Sequence, residues 1–275
     1  MELYDLFFVV MTAFVGLLMG SFGNAAIYRI PREIPLGLFS HTRSRCPQCD
    51  TQLRAIDNIP VFSFLFLRGK CAHCRSKISF RYPVVELLGA LLFGAAAVVF
   101  VRYRGFSWGY KALPEEMIFF AVQVYFLWSL LVTTYIDIDF RIIPDRFSLG
   151  NWALAALVCL IFKDPSPLQG ILGGLVGFGL FYSLAWGYEK YKGIEGLGFG
   201  DVKMLGWLGT WLGLEWVPFI IFVASVTGLI LGLIQMRKGG DGLQSALPFG
   251  PFLAFAALLA WFLKNTSFSA GTLVF

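Results

Sequence analysis

Long apolar runs recur through nearly the whole chain, at residues 6–28, 83–101, 117–136, 147–162, 168–187, 202–216, 217–236 and 248–263. A helix that crosses a bilayer needs about 20 mostly apolar residues, so each run except the shorter 202–216 has close to spanning length. With 57% hydrophobic and only 14% charged residues, a soluble fold would have to bury more apolar surface than 275 residues can enclose. The runs also lack the polar stripe of surface helices. The expected fold class is an all-α polytopic membrane protein of about eight transmembrane helices, with a small cytoplasmic zinc-ribbon-like domain between the first two.

Lysine and arginine placement predicts orientation. They concentrate in residues 29–81, at Arg141 and Arg146, in residues 190–203, and at Arg237 and Lys238. The alternate connections carry only Arg102, Arg104, Lys111 and Lys163, with Lys264 at the far end. With both termini outside, every basic-rich loop falls on the cytoplasmic side. The net charge of +5 thus reports topology, and nucleic acid is not an expected partner. Glu2 and Asp5 stand where a cleavable signal would carry basic residues, so the first run reads as a retained span.

The expected divisions are a first helix at 1–28, a cytoplasmic metal-binding domain at 29–82 and a membrane core at 83–275. The second segment holds "CPQC" (Cys46, Cys49) and "CAHC" (Cys71, Cys74), two knuckles with zinc-ribbon spacing. Each knuckle brings two thiolates to one ion from a tight turn. A reducing cytoplasm disfavours disulfides; a redox dithiol pair is the competing reading. So small a domain has little core, and structural zinc would supply much of its folding free energy. His41 and His73 read as neighbours of the site rather than ligands, and Cys159, inside an apolar run, as a packing residue. "NIPVFSFLFLRGK" (58–70) reads as a strand or an interfacial segment.

Acids at membrane helix ends are costly and mark candidate functional sites. "YIDIDFRIIPD" carries Asp137, Asp139 and Asp145, and "GLGFGD" carries Asp201. Asp145 can be explained as a helix N-cap and Asp139 as a solvated or paired turn residue. Asp201 also admits the N-cap reading. Asp137 ends an apolar helix, where the macrodipole disfavours an anion, and no capping role covers it. Paired, Asp137 and Asp201 would share one proton and activate water against a peptide carbonyl. Gly198 and Gly200 would let a substrate backbone approach. Helix position alone assigns the anion to Asp201 and the proton to Asp137.

Several stretches together resemble the type IV prepilin peptidases, leader peptidase/N-methyltransferases among the GxGD aspartic proteases. They are "GSFGNAAIYRIP" (20–31), both knuckles, "NIPVFSFLFLRGKC" (58–71), "ISFRYPVVELLGA" (78–90), "DIDFRIIPD" (137–145), "GLGFGDVKM" (196–204) and "LPFGPFLA" (247–254). The resemblance implies that Asp137 and Asp201 are catalytic. It implies removal of a short basic leader from prepilins or pseudopilins, after a glycine, at the cytoplasmic face. It also implies methylation of the new N-terminal residue by S-adenosyl-L-methionine.

No G-x-G-x-x-G fingerprint occurs in a strand–helix setting, so a methyl-donor site must be built differently. Asn24, Arg81 and Glu86 are candidates as polar groups at the cytoplasmic ends of spans, with an interfacial anchor and its counter-ion as the competing reading of the latter two. The alternative function is a transporter or ion relay built on the boundary acids. The sequence does not fix the oligomeric state.

Overall fold

The computed structural model describes residues 3–36, 44–104, 114–193, 197–237 and 248–267. His41, Lys111, Lys238, Gly196 and Leu247, all used above, lie outside the described residues. The named elements are helical: α1 (Leu3–Arg29), α2 (Phe62–Phe66), α3 (Arg81–Tyr103), α4 (Pro114–Phe140), α5 (Asp145–Phe162), α6 (Pro167–Lys192), α7 (Phe199–Leu212), α8 (Val217–Arg237) and α9 (Gly250–Ser267). Lipid offers no partner to backbone N–H and C=O groups, and a helix satisfies them within one segment.

Among the described residues, six segments are long and apolar enough to cross a membrane: Leu3–Arg32, Arg81–Tyr103, Pro114–Phe140, Asp145–Phe162, Pro167–Lys192 and Leu214–Met236. The expected span at 202–216 is not one continuous helix. It ends at Leu212, Gly213 turns the chain at φ 103°, and a 3₁₀ turn (Leu214–Trp216) leads into α8. At 14 residues α7 is about 21 Å long, shorter than the hydrocarbon core. Val202 and every residue from Met204 to Leu212 are buried, so the helix is enclosed by protein and not by lipid.

The described residues pack into two compact units, one within residues 3–132 and one within residues 133–267. This groups α1 and α3 with the cysteine segment, whereas the sequence divides the chain at 28/29 and 82/83. In the first unit α1 and α3 cross at glycines: a Cβ on Gly16 would strike the Gly89 carbonyl, and one on Gly89 would strike that of Gly16. Small residues let helices approach where no hydrophobic drive exists between them. Trp128 Nε1 donates to the Met19 carbonyl at 2.8 Å, and its ring stacks on Phe22.

In the second unit α6 and α7 make the same kind of contact at Gly173 and Gly209, each facing the other's carbonyl. We expect Gly209→Ala to force these helices apart and cost about 1–3 kcal/mol, as overpacking does. A lowered thermal midpoint in detergent checks it; an unchanged midpoint would contradict the contact. At one end of this unit Lys264 Nζ meets the Leu212 carbonyl at 3.1 Å and Asp164 at 3.0 Å, capping α7. The ends of α4 and the starts of α5, α7 and α9 converge elsewhere in the unit, around Asp137.

Candidate active site and metal centre

Asp137 sits in the last turn of α4 and is 5% exposed. Arg141 ends this helix in a left-handed conformation, its N–H bonded to the Asp137 carbonyl. A short linker follows, and Pro144 holds Ile143 away from helical geometry before α5 begins. Gly250, the first residue of α9, donates its N–H to Asp137 Oδ2 at 3.0 Å. Residue 250 must be glycine here, because a Cβ would stand 2.7 Å from that oxygen and 3.2 Å from the Asp137 Cγ.

Asp201 lies in the first turn of α7, its N–H bonded to the Gly198 carbonyl. Gly198 and not Asp201 is the N-cap residue, so capping does not account for this acid. One side chain links the two halves of the site. Ile143 Cβ would be 3.1 Å from a Cβ on Gly200, and its Cδ1 3.3 Å from one on Gly250. Ile143 thus packs against the residue beside Asp201 and against the residue bonded to Asp137.

The glycines serve the protein's own packing. A Cβ on Gly198 would lie 3.3 Å from the Asp201 carboxyl, while Gly200 makes room for Ile143. Asp145 is not an N-cap: Pro144 holds that position, and Asp145 accepts from the Lys203 ammonium and from Ser148 Oγ. Asp139 is exposed. The helix-position argument for the proton is incomplete, because the N-terminus of α9 points at Asp137 from another element.

Gly250 and Ile143 lie in stretches that carry the resemblance, yet their roles beside Asp137 were not legible in the sequence. The signal for Gly250 was a glycine–proline pair opening the last apolar run, a common helix start. Nothing in that signal points 113 residues back to Asp137. We expect Gly250→Ala to displace the Asp137 carboxyl and lower turnover about 100-fold, the scale of a misplacement near 1 Å. Rate measurements on a variant whose helicity and metal content match the parent check this; parental turnover would contradict it.

Cys46, Cys49, Cys71 and Cys74 form no disulfide, and their sulfurs all lie within 4.8 Å of one another. Tetrahedral coordination at about 2.3 Å sets sulfurs about 3.8 Å apart; Cys46 Sγ and Cys74 Sγ are 3.9 Å apart. The knuckles repeat one geometry. The Cys46 N–H bonds to the Thr51 carbonyl and the Cys71 N–H to the Ser76 carbonyl, while Asp50 and Arg75 take left-handed conformations after the second cysteine of each. The Ser76 hydroxyl and backbone amide, against Cys74 Sγ, hold that thiol down to about 6. Thiolate is the metal-binding form, so the cluster fits a metal ion. Isolated bridges, Arg45 with Gln52 and Lys70 with Lys77, flank the knuckles. Residues 62–66, within the segment expected as a strand or interfacial piece, form helix α2.

Asn24 and Glu86 are buried in the first unit. Asn24 Nδ2 donates to the Tyr82 carbonyl at 3.0 Å, and its Oδ1 is buried without a hydrogen-bond partner. Glu86 accepts from the Val61 N–H at 2.7 Å and bonds with Ser21. The Arg81 guanidinium lies 5.9 Å from the Tyr82 ring centre. Glu86 therefore ties α1, α3 and the cysteine segment together. The open Asn24 acceptor is the feature here that fits a bound donor group.

Fold and clusters together define an integral membrane protein with four cysteines placed to hold a metal ion and two acids, Asp137 and Asp201, linked through Gly250, Ile143 and Gly200. The description "Bacterial Peptidase A24 N-terminal domain" matches residues 14–100, and "Type IV leader peptidase family" matches residues 124–233. A protein named prepilin leader peptidase/N-methyltransferase from Stutzerimonas stutzeri is 35% identical over 92% of this chain and 90% of its own length. Proteins of the same name from Pseudomonas aeruginosa, 33% identical over 94% and 91%, and from Dichelobacter nodosus, 35% identical over 90% of each, are similar to the same extent. No solved structure matches significantly. The chain belongs to the type IV leader peptidase family.

Proposed function

We propose that this protein removes the leader peptide of type IV prepilins or pseudopilins after a glycine and N-methylates the residue so exposed. The observation that carries the peptidase reading is the bridge from Asp137 through Gly250 and Ile143 to Gly200 and Asp201. In this reading Asp137 and Asp201 are the catalytic pair, and they hold one proton between them. An ionised carboxylate is the stronger acceptor for the Gly250 N–H, which puts the proton on Asp201, opposite to the assignment from helix position. The Asp137 carboxylate takes a proton from water as the water oxygen bonds to the carbonyl carbon, and Asp201 donates its proton to the carbonyl oxygen. Collapse of this intermediate breaks the C–N bond and returns a proton to the leaving amine.

For methylation, S-adenosyl-L-methionine supplies an electrophilic methyl group when bound. Asn24, Arg81 and Glu86 are the residues that would hold it, Asn24 through its open acceptor. The new N-terminal amine must lose its proton before transfer. The four cysteines would hold structural Zn²⁺, since closed four-thiolate sites are structural by default. The basic loops support cytoplasmic placement of the cysteine segment and the acid pair, in a bacterial inner membrane with both termini outside.

The test is direct. Purified protein in detergent is incubated with a prepilin peptide and the methyl donor, and the products are weighed by mass spectrometry. Loss of the leader and gain of one methyl group are expected. An intact peptide under conditions where the protein is folded and metal-loaded would defeat the proposal.

A further inference from the structure

The cysteine segment carries an apolar face that its own fold leaves uncovered. Phe62, Leu65 and Phe66 lie at i, i+3 and i+4 on α2, so they share one side of the helix. Leu65 is 63% exposed and Phe66 83%, and nearby Phe80 is 70% exposed. Ile59, just before α2, is also exposed. Phe64 turns the other way: its ring would be 3.1 Å from a Cβ on Gly69, and it meets the Phe80 ring edge-on at 5.7 Å. The segment thus has an interior, and these side chains are not in it.

Two observations say what covers the face. The first is its level. The Val61 N–H that leads into α2 donates to Glu86 of α3. Glu86 is five residues into a helix of membrane-spanning character, about 7.5 Å along its axis. The start of α2 therefore lies beside the second turn of a span, at the depth where headgroups give way to acyl chains. Leu87 and Leu91 of α3, one and five residues beyond Glu86, are exposed and apolar in the same way.

The second is charge. Arg68, Lys70, Arg75 and Lys77 follow α2 and are exposed. The acids Asp50 and Asp57 of this segment are already paired with Arg45 and Arg54. An apolar face rimmed by unneutralised cations is the chemistry of a surface that rests in an anionic lipid interface.

We propose that α2 is an interfacial anchor: Phe62, Leu65, Phe66 and Phe80 insert below the lipid headgroups, with Arg68, Lys70, Arg75 and Lys77 at the level of anionic phosphates. The metal cluster is then held against the membrane surface by two attachments, the spans on either side of the segment and this inserted face. The proposal stands apart from the peptidase reading, because its test measures depth and not activity.

The full-length protein carrying Phe66→Trp is reconstituted into phosphatidylethanolamine/phosphatidylglycerol vesicles whose acyl chains bear bromine near the headgroup or near the chain end. The signal is the fluorescence gained over the parent, which has eight tryptophans. The added emission should be quenched at least about twofold more by bromine near the headgroup, as insertion of about 5–10 Å requires, and shielded from aqueous acrylamide. Emission open to acrylamide and indifferent to brominated lipid would overturn the proposal. Quenching by neither would overturn it too, since protein would then cover the face. Leu65→Trp gives the same reading should Phe66→Trp fail to retain its metal.

Discussion

Asparagine in place of either Asp137 or Asp201 lowers leader cleavage about a thousandfold or more while helicity and metal content stay at the parental level. The size follows from the roles proposed: acid–base groups that move protons in the transition state contribute about 100- to 10,000-fold each. Asparagine keeps the volume and can still meet the Gly250 N–H through its carbonyl oxygen, so the fold survives. It cannot take a proton from water or give one to a carbonyl. Residues that act as one unit are not additive, so the double variant should be no slower than the worse single one by more than a few-fold. Mass analysis of a prepilin peptide reads the outcome. Cleavage retained in either single variant would remove that residue from the pair, and the transporter reading of the acids would regain force.

Replacing Cys46 and Cys71 by serine, or stripping the metal with a chelator, should release the metal and unfold the segment between residues 44 and 80. Structural zinc contributes about 10–16 kcal/mol of apparent binding free energy to small domains of this kind. Apart from the cluster, the described residues of the segment are held by local contacts: the knuckle turns, the Arg45–Asp50 and Arg54–Asp57 pairs, two isolated bridges, the short helix α2, the Phe64–Phe80 ring contact and the bond from Val61 to Glu86. Metal analysis and protease nicking within the segment measure the loss. Leader cleavage should persist in part, because the acid pair lies in residues 133–267 and the cysteines do not. Methylation should fall with the segment, since Glu86 links it to the helices that carry Asn24 and Arg81. Cleavage and methylation falling together in a variant whose helices remain intact would show that the two activities share the metal segment.

Much of the fold was open to reading because lipid imposes a simple rule. Any long apolar run must become a helix, and the helices at 83–101, 117–136 and 147–162 form where hydropathy places them. The rule blurs where a run is not exposed to lipid. The stretch 202–216 is as apolar as a span, yet it is a short helix enclosed by protein and broken at Gly213. Composition does not distinguish burial in lipid from burial in protein. The same limit applied to residues 58–70, where apolar content and prolines left a strand and an interfacial segment both open, and only the strand is overturned. The residues at 62–66 form one helical turn with an outward face.

The sequence by itself determined the membrane class, the four-cysteine cluster and the candidacy of Asp137 and Asp201. Each of these rests on local chemistry: hydropathy over about 20 residues, cysteine spacing within a knuckle, and the cost of a charge at a helix end. Tertiary structure alone decided which groups surround the acids. Gly250 and Ile143 come from separate segments, and nothing in their neighbours' spacing encodes the contact. It also supplied the N–H that meets Asp137, which belongs to α9, far along the chain, and which helix position alone does not reveal. Local fields follow from a residue's own helix, but a hydrogen bond from another helix is stronger at 3.0 Å than a dipole summed along the first.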